Sequence, residues 1–204
     1  MPRKFEVELF TFDELSKKAK ERAVKDFGDD PENTWDDDDA HMLTELFETD
    51  LKDHYGLGNL KAWWSLGYCQ GDGVCFEGSV DIPGFIKAEK QEKRFQKIIG
   101  LAEEGLLFVA IKNRGRSCHY NSMEIEVDFR GDDESSGPRD WSPRGGQSVS
   151  DFEEYLKDRV EEISQEMEKA GYKEIEYHRS NEYIEEILEN RDWEYTKSGE
   201  RWEG

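Results

Sequence analysis

Asp72 and His119 are the pair whose side chains could exchange a proton. Asp72 lies in Gln70-Gly71-Asp72-Gly73, and His119 closes the run Arg114-Gly115-Arg116-Ser117-Cys118-His119. A general acid or base must come within hydrogen-bonding distance of its proton, and spacing along the chain does not establish that. Cys118 stands between Arg116 and His119, whose positive charge would favour a thiolate, so it is the candidate reactive thiol. Each of the three also has a structural reading, and we prefer it: Asp72 in a turn, His119 hydrogen-bonded in a strand, Cys118 as a small residue beside a turn. Arg114 and Arg116 could grip a phosphate or carboxylate with two parallel hydrogen bonds. With 49 acidic residues in the chain, they are expected to clamp the protein's own surface instead. Gln70, Asp72, Arg114, Arg116 and His119 together form the candidate binding set. No nucleophile elbow, HExxH zinc motif or phosphate loop is present.

The metal-ligating residue types are dispersed. His41, His54, His119 and His178 are far apart in sequence, and Cys69, Cys75 and Cys118 contain no C-x-x-C pair. Asp36, Asp37, Asp38 and Asp39 are adjacent, but four neighbours on a helix point in different directions, and their spacing fails the calcium-loop pattern. Neither a metal nor a cofactor is predicted. Three cysteines suit a reducing compartment, and a Cys69–Cys75 cross-strand disulfide is set aside in favour of free thiols.

Charge is the strongest global feature. Asp and Glu number 49 against 28 Lys and Arg, a net charge of −21. Such a surface repels nucleic acid and anionic membranes and attracts basic proteins. The competing explanation is that acidity only keeps the chain soluble. The carboxylates expected to form the surface are Asp36–Asp39, Glu153, Glu154, Glu161, Glu162, Glu185 and Glu186. No apolar run reaches the ~20 residues of a membrane span, and the N-terminus lacks a signal peptide's apolar core, so a cytoplasmic protein is expected.

These residues must be held by an α+β fold. "KFEVELF" alternates like a strand, and Thr11 with Glu14 marks a helix start near Phe12. A second helix is expected over about 34–55. Residues 60–68 and 74–82 alternate with their apolar residues at even numbers. A three-residue loop, Gly71-Asp72-Gly73, pairs Tyr68 with Phe76 and Ala62 with Ile82, keeping both apolar sets on one face. Gly71, Gly73 and Gly78 are the turn-defining glycines. "FIKAEKQEKRFQKIIGLAEEG" reads as a helix or helix pair, followed by strands in "LLFVAIKNRG" and "HYNSMEIEVDF". Residues 131–147 have loop composition and are expected to be mobile. Ser150 with Glu153 marks a helix running to about Gly171, another spans about 181–190, and 191–204 form a terminal hairpin or arm. The sum is one α+β domain over 1–204: an antiparallel meander of four to five strands with helices mainly on one face.

Four stretches share a further likeness. "TFDELSKKAKERAVKDF", "GYCQGDGVCFEG", "RSCHYNSMEIEV" and "YHRSNEYIEEILENRDWEYTKSGE" resemble, in the same order, a group of small bacteriophage and prophage proteins. That group has a TFDELS opening, an S-Q-G-D-G-x-x-F-x-G core and a Y-x-H-x-x-S-M strand. Here Cys69 stands where its core has serine, and the acidic loop at 131–147 is extra. The resemblance implies phage provenance and no particular activity. It carries Gly71, Gly73 and Gly78 as fold-defining positions and Gln70, Asp72 and His119 as site positions. Two functions are therefore expected to compete. The first is a non-enzymatic phage accessory protein whose acidic surface binds a basic host protein, of the defence or nucleic-acid-handling kind, in the host cytoplasm. The alternative is a small-molecule or nucleotide binder, or an enzyme, with its pocket at Gln70, Asp72, Arg116 and His119.

Overall fold

The computed structural model describes residues 6–30, 33, 35, 37–130 and 146–203. Its elements are α1 (Lys17–Gly28), α2 (Asp37–Asp53), β1 (Leu60–Ser65), β2 (Gly73–Ser79), α3 (Ile82–Ala88), α4 (Gln96–Glu103), β3 (Leu107–Asn113), β4 (Met123–Phe129), α5 (Gly146–His178) and α6 (Asn181–Glu189). The four strands form one antiparallel sheet in the order β1-β2-β3-β4, the expected α+β meander. The chain divides into two compact units, one of Met1–Ala40 with Lys173–Gly204 and one of His41–Tyr172.

The unit spanning His41–Tyr172 holds the sheet. Alternation gives it a buried face: Leu60, Ala62, Val74, Phe76, Leu107, Val109 and Ile111 all point inward, while Trp63 and Phe108 are exposed. Phe47, Phe85, Phe152, Leu156 and Ile163 from the helices are fully buried. The ring of Phe152 meets Phe95 edge-on at 5.3 Å. The Ser164 hydroxyl on α5 donates to the Val74 carbonyl of β2.

The hairpin register differs from the expected one. Ala62 faces Phe76 and Trp64 faces Val74, which leaves residues 66–72 as the loop in place of 71–73. Ala62 has moved from Ile82 to Phe76, an even shift, so the apolar faces stay aligned while every pair changes. The same register sets Cys75 opposite Trp63, not Cys69.

Helix α5 departs from expectation at both ends. It begins at Gly146, so Ser150 is inside the helix and not its cap, and it continues to His178. Gly171 had read as its stop. A Cβ there would lie 2.4 Å from Leu66 Cδ1 and 2.8 Å from Phe47 Cζ, so this glycine lets the helix approach its neighbours closely. Of the expected mobile loop, 131–145 fall outside the described residues, and 146–147 open α5.

In the other unit, the described part of the N-terminal segment, residues 6–10, is not a sheet strand. Val7 is exposed, and among the described residues the segment's one strand-like contact is an isolated bridge from Phe10 to Tyr195. Thr11 and Glu14 enclose a 3-10 turn (Phe12–Glu14), with the Glu14 carboxylate accepting from the Thr11 amide at 2.9 Å. Ser16 then caps α1. Phe12, Ala19, Ala23, Phe27, Ile184 and Leu188 build this unit's core, and a bridge from Tyr195 to Arg201 closes the terminal hairpin.

One polar tie joins α5 to the end of α3. Arg159 donates through Nε and Nη2 to the two Glu89 carboxylate oxygens at 2.8 and 3.0 Å, and the Tyr155 hydroxyl adds a bond of 3.0 Å. The Arg159 and Glu89 side chains are only 19% and 13% exposed. Replacing Glu89→Ala leaves three part-buried donors, Arg159 Nε and Nη2 and the Tyr155 hydroxyl, without this acceptor and should lower unfolding free energy by about 2–4 kcal/mol in a denaturant titration. A change within about 0.5 kcal/mol, as for an ordinary surface substitution, would show that the pair does not tie α5 down.

Candidate functional site

Asp72 organises the β1–β2 loop. Its Oδ2 accepts from the Cys69 amide at 2.7 Å and from the Tyr172 hydroxyl at 2.9 Å, and its Oδ1 from the Ser65 hydroxyl at 3.1 Å. The Cys69 amide, helped by the Tyr172 and Ser65 hydroxyls and the Gly67 amide, holds this carboxyl below the usual carboxylate range against the opposing effect of burial. Burial and the same carboxylate push the Tyr172 phenol up to about 12. Tyr172 also packs its ring on Tyr68, 4.6 Å between centroids, and Tyr68 sits at φ 58°. These demands of one carboxylate widen the loop beyond the three residues its glycines suggested. Gln70 and Gly71 are exposed at the tip. Gly78 lies in β2, opposite Leu60.

The loop from Arg114 to Ser122 lies against Gly73. A Cβ on Gly73 would come 2.6 Å from the Cys118 carbonyl oxygen and 3.3 Å from His119 Cα, so only glycine fits. His119 caps the 3-10 turn Tyr120–Ser122, with Nδ1 accepting from the Asn121 amide at 3.2 Å and its carbonyl accepting from the Ser122 amide. Each proposed member of the acid–base pair thus has its own local partners, and no hydrogen bond joins Asp72 to His119 among the described residues. Arg114 ion-pairs with Glu124 at 2.7 Å and Glu126 at 2.8 Å, clamping the protein's own strand. Arg116 is exposed. A shallow concavity of about 740 Å³ joins Gly71, Arg114, His119 and Glu124, and neither Asp72 nor Gln70 lines it.

The thiols are free. Cys69 is exposed, and the buried Cys75 sits beside Cys118 and accepts from the Asn113 side-chain amide at 3.2 Å. Burial and the neighbouring Cys118 push the Cys75 thiol up to about 12. The structure therefore sets Cys75 beside Cys118, where the expected register had set it opposite Cys69.

The acidic positions divide among different surroundings. Asp36 and the side chain of Asp37 lie outside the described residues. Asp39 Oδ1 faces His178 Nδ1 at 3.4 Å. On α6, Glu185 is exposed, and Glu186 accepts from the Tyr177 hydroxyl at 3.2 Å. On α5, a turn of 100° per residue sets Asp151, Glu154, Asp158 and Glu162 opposite the buried Phe152, Leu156, Val160 and Ile163. Glu162 pairs with Arg159, and Glu161 accepts from Gln165 at 3.2 Å. Asp151, Glu154 and Asp158 are exposed, and none makes an ion pair or side-chain hydrogen bond among the described residues. Beside them runs a groove of about 430 Å³ that collects Glu124, Glu153 and Glu161 with Lys157. The sequence named Glu153, Glu154, Glu161 and Glu162 but passed over Asp151, Asp158 and Glu124. Counting 3- and 4-residue steps along α5 would have found the two aspartates; Glu124 comes from a strand that only the fold brings near.

The other unit contains a cluster that scattered sequence positions had concealed. His178, its side chain 9% exposed, stacks on Tyr183 at 4.2 Å and lies 5.1 Å from the Trp35 ring. Its Nε2 faces Glu174 at 3.4 Å. No group of three or more metal-ligating side chains occurs among the described residues. No helix among them is long and apolar enough to cross a membrane.

A model for a domain of unknown function, DUF8835, matches residues 35–184, and the chain belongs to that family. No curated protein and no solved structure matches it.

Asp72 generates a signed pH prediction. A carboxyl held low in the folded state adds stability above its unfolded value, about 3.9, and that stability fades as pH falls through the folded value. Asp72→Asn should cost about 1–3 kcal/mol at pH 7, since a neutral amide replaces a charged acceptor of several hydrogen bonds. The gap should narrow progressively below about pH 4 in denaturant titrations. A gap that is constant from pH 7 to pH 3 would contradict the assigned role.

Proposed function

We propose that this DUF8835 chain is a non-enzymatic binding protein that engages a basic protein through the outer face of α5 and the groove beside it. The supporting observation is the row of exposed carboxylates, Asp151, Glu154 and Asp158, which have no partner among the described residues and are flanked by Glu124, Glu153 and Glu161 in the groove. Glu126, by contrast, is taken up by the protein's own Arg114, which also pairs with Glu124. Carboxylates fixed on a rigid helix attract lysine and arginine at long range, raise the encounter rate and oppose wrong partners. The groove offers a recess in which a basic side chain can settle.

Helical spacing also bears on the kind of partner. Successive carboxylates on this face stand about 4.5–6 Å apart along the axis, wider than the 3.4 Å axial charge spacing of a DNA strand. The match to a groove made for nucleic acid is therefore one of charge sign rather than phosphate-by-phosphate register. Following the phage resemblance, the partner is a host protein of the defence or nucleic-acid-handling kind, met in the host cytoplasm. The competing pocket at Gln70, Asp72, Arg116 and His119 has less support, because Asp72 is committed to its own loop and only His119 of the four lines the concavity there.

The triple substitution Asp151→Asn/Glu154→Gln/Asp158→Asn tests this reading. None of the three residues makes an ion pair among the described residues, so the melting temperature should hold. Affinity capture from a bacterial host lysate, at about 50 and 500 mM salt, should then return a basic protein that binds the parent at low salt. The triple variant should retain about tenfold less of it, a loss typical of removing several steering charges. Equal capture by parent and variant, or capture indifferent to salt, would refute the reading.

A further inference from the structure

The unit formed by the chain's two ends contains a cavity of about 480 Å³, within the range of small-molecule sites. Its apolar lining comes from Phe27, Ile184 and Ile187, and its flat walls from Trp35, Tyr183 and His178. Its polar groups are mostly donors. The Trp35 indole nitrogen is shielded from solvent and has no hydrogen-bond partner among the described residues, an arrangement that folded proteins rarely leave unfilled. Arg179 and Arg191 also line the cavity, and neither makes an ion pair among the described residues. In a chain with 49 acidic residues against 28 basic ones, two guanidinium groups without carboxylates around one cavity are a departure. Asp39, the one carboxylate among the described lining residues, faces the His178 imidazole. Arg191 is held in place over the rings of Phe27 and Trp193, at 5.3 and 4.4 Å.

We infer that this cavity binds a small organic anion: a planar ring bearing a carboxylate or phosphate. The ring lies against Trp35, Tyr183 and the apolar lining, where flat faces exclude water. The anionic group meets Arg179 and Arg191, whose planar forks suit either oxyanion. An acceptor atom on the ligand satisfies the indole N–H. The site is made only of residues in this unit, so it stands or falls separately from the acidic face of α5.

Nitrogen-15 NMR reads the site directly, with the Trp35 indole signal identified by its loss in Trp35→Phe. Adenosine 5′-monophosphate and indole-3-acetate are titrated separately, with adenosine as the neutral control. At least one anion should shift the Trp35 indole signal with Kd of about 1 mM or tighter. Which one does so tells phosphate from carboxylate. Adenosine, and the Arg179→Gln/Arg191→Gln variant with the effective anion, should each bind about tenfold more weakly, for want of the charged hydrogen bonds. Should that variant fail to fold, Arg179→Gln alone, at an exposed position, carries the comparison. The inference is overturned if neither anion moves the signal, if adenosine binds as well as the anions, or if the folded arginine variant binds as tightly as the parent.

Discussion

The structure depends on one helix keeping its two sides chemically distinct. Along α5 the inner side must be apolar enough to close the sheet unit, and it is: Phe152, Leu156, Val160, Ile163 and Met167 are all buried. The same helical repeat forces everything else outward. Because that remainder is dominated by Asp and Glu, building the core and building a negative face are a single act of folding. Two ties keep the helix seated. The Ser164 hydroxyl bonds to Val74, and Arg159 holds Glu89 with two prongs, so the outward carboxylates stand on a fixed support. Rigidity matters here because a charge that need not be ordered on binding contributes more of its attraction to the complex.

The chain uses its carboxylates in two ways. Asp72, Glu89, Glu124 and Glu126 are turned to internal work, organising a loop or pairing with arginines. Asp151, Glu154 and Asp158 are left to solvent. The proposed interaction face rests on this row along one side of a single helix, more than on the total of −21. The cavity beside Trp35 has the opposite character, with an indole donor and two guanidinium groups that find no acceptor among the described residues. The two proposed sites would take ligands of opposite charge.

Periodicity made most of the fold legible. Even-numbered apolar residues in 60–68 and 74–82 fixed which faces are buried, and they stayed fixed through a register change, since an even shift preserves the alternation. The loop length was hidden because it is set by Tyr172, a hundred residues away, which reaches Asp72 across the fold. Gly171 misled for the opposite reason. Sequence reads a glycine as a helix end, whereas here it marks the point where Leu66 and Phe47 press against α5. The site was less legible than the fold. Glu153 and Glu154 were visible as a charged pair, but that the outer row continues through Asp151 and Asp158, and that Glu124 flanks it, required the helix boundaries and the sheet. His178 gave no signal at all, since Trp35, Tyr183 and Asp39 surround it only after folding.

On the proposed function, a basic partner lands on the exposed carboxylates Asp151, Glu154 and Asp158 of α5 and in the groove beside them. An amide-resolved NMR titration with an arginine-rich peptide examines this without knowing the natural partner. Shifts should concentrate at Asp151–Glu162 and Glu124 and vanish at about 0.5 M salt, where screening extends only a few ångströms. Shifts of equal size on α2, α5 and α6, or a footprint that persists in high salt, would contradict it.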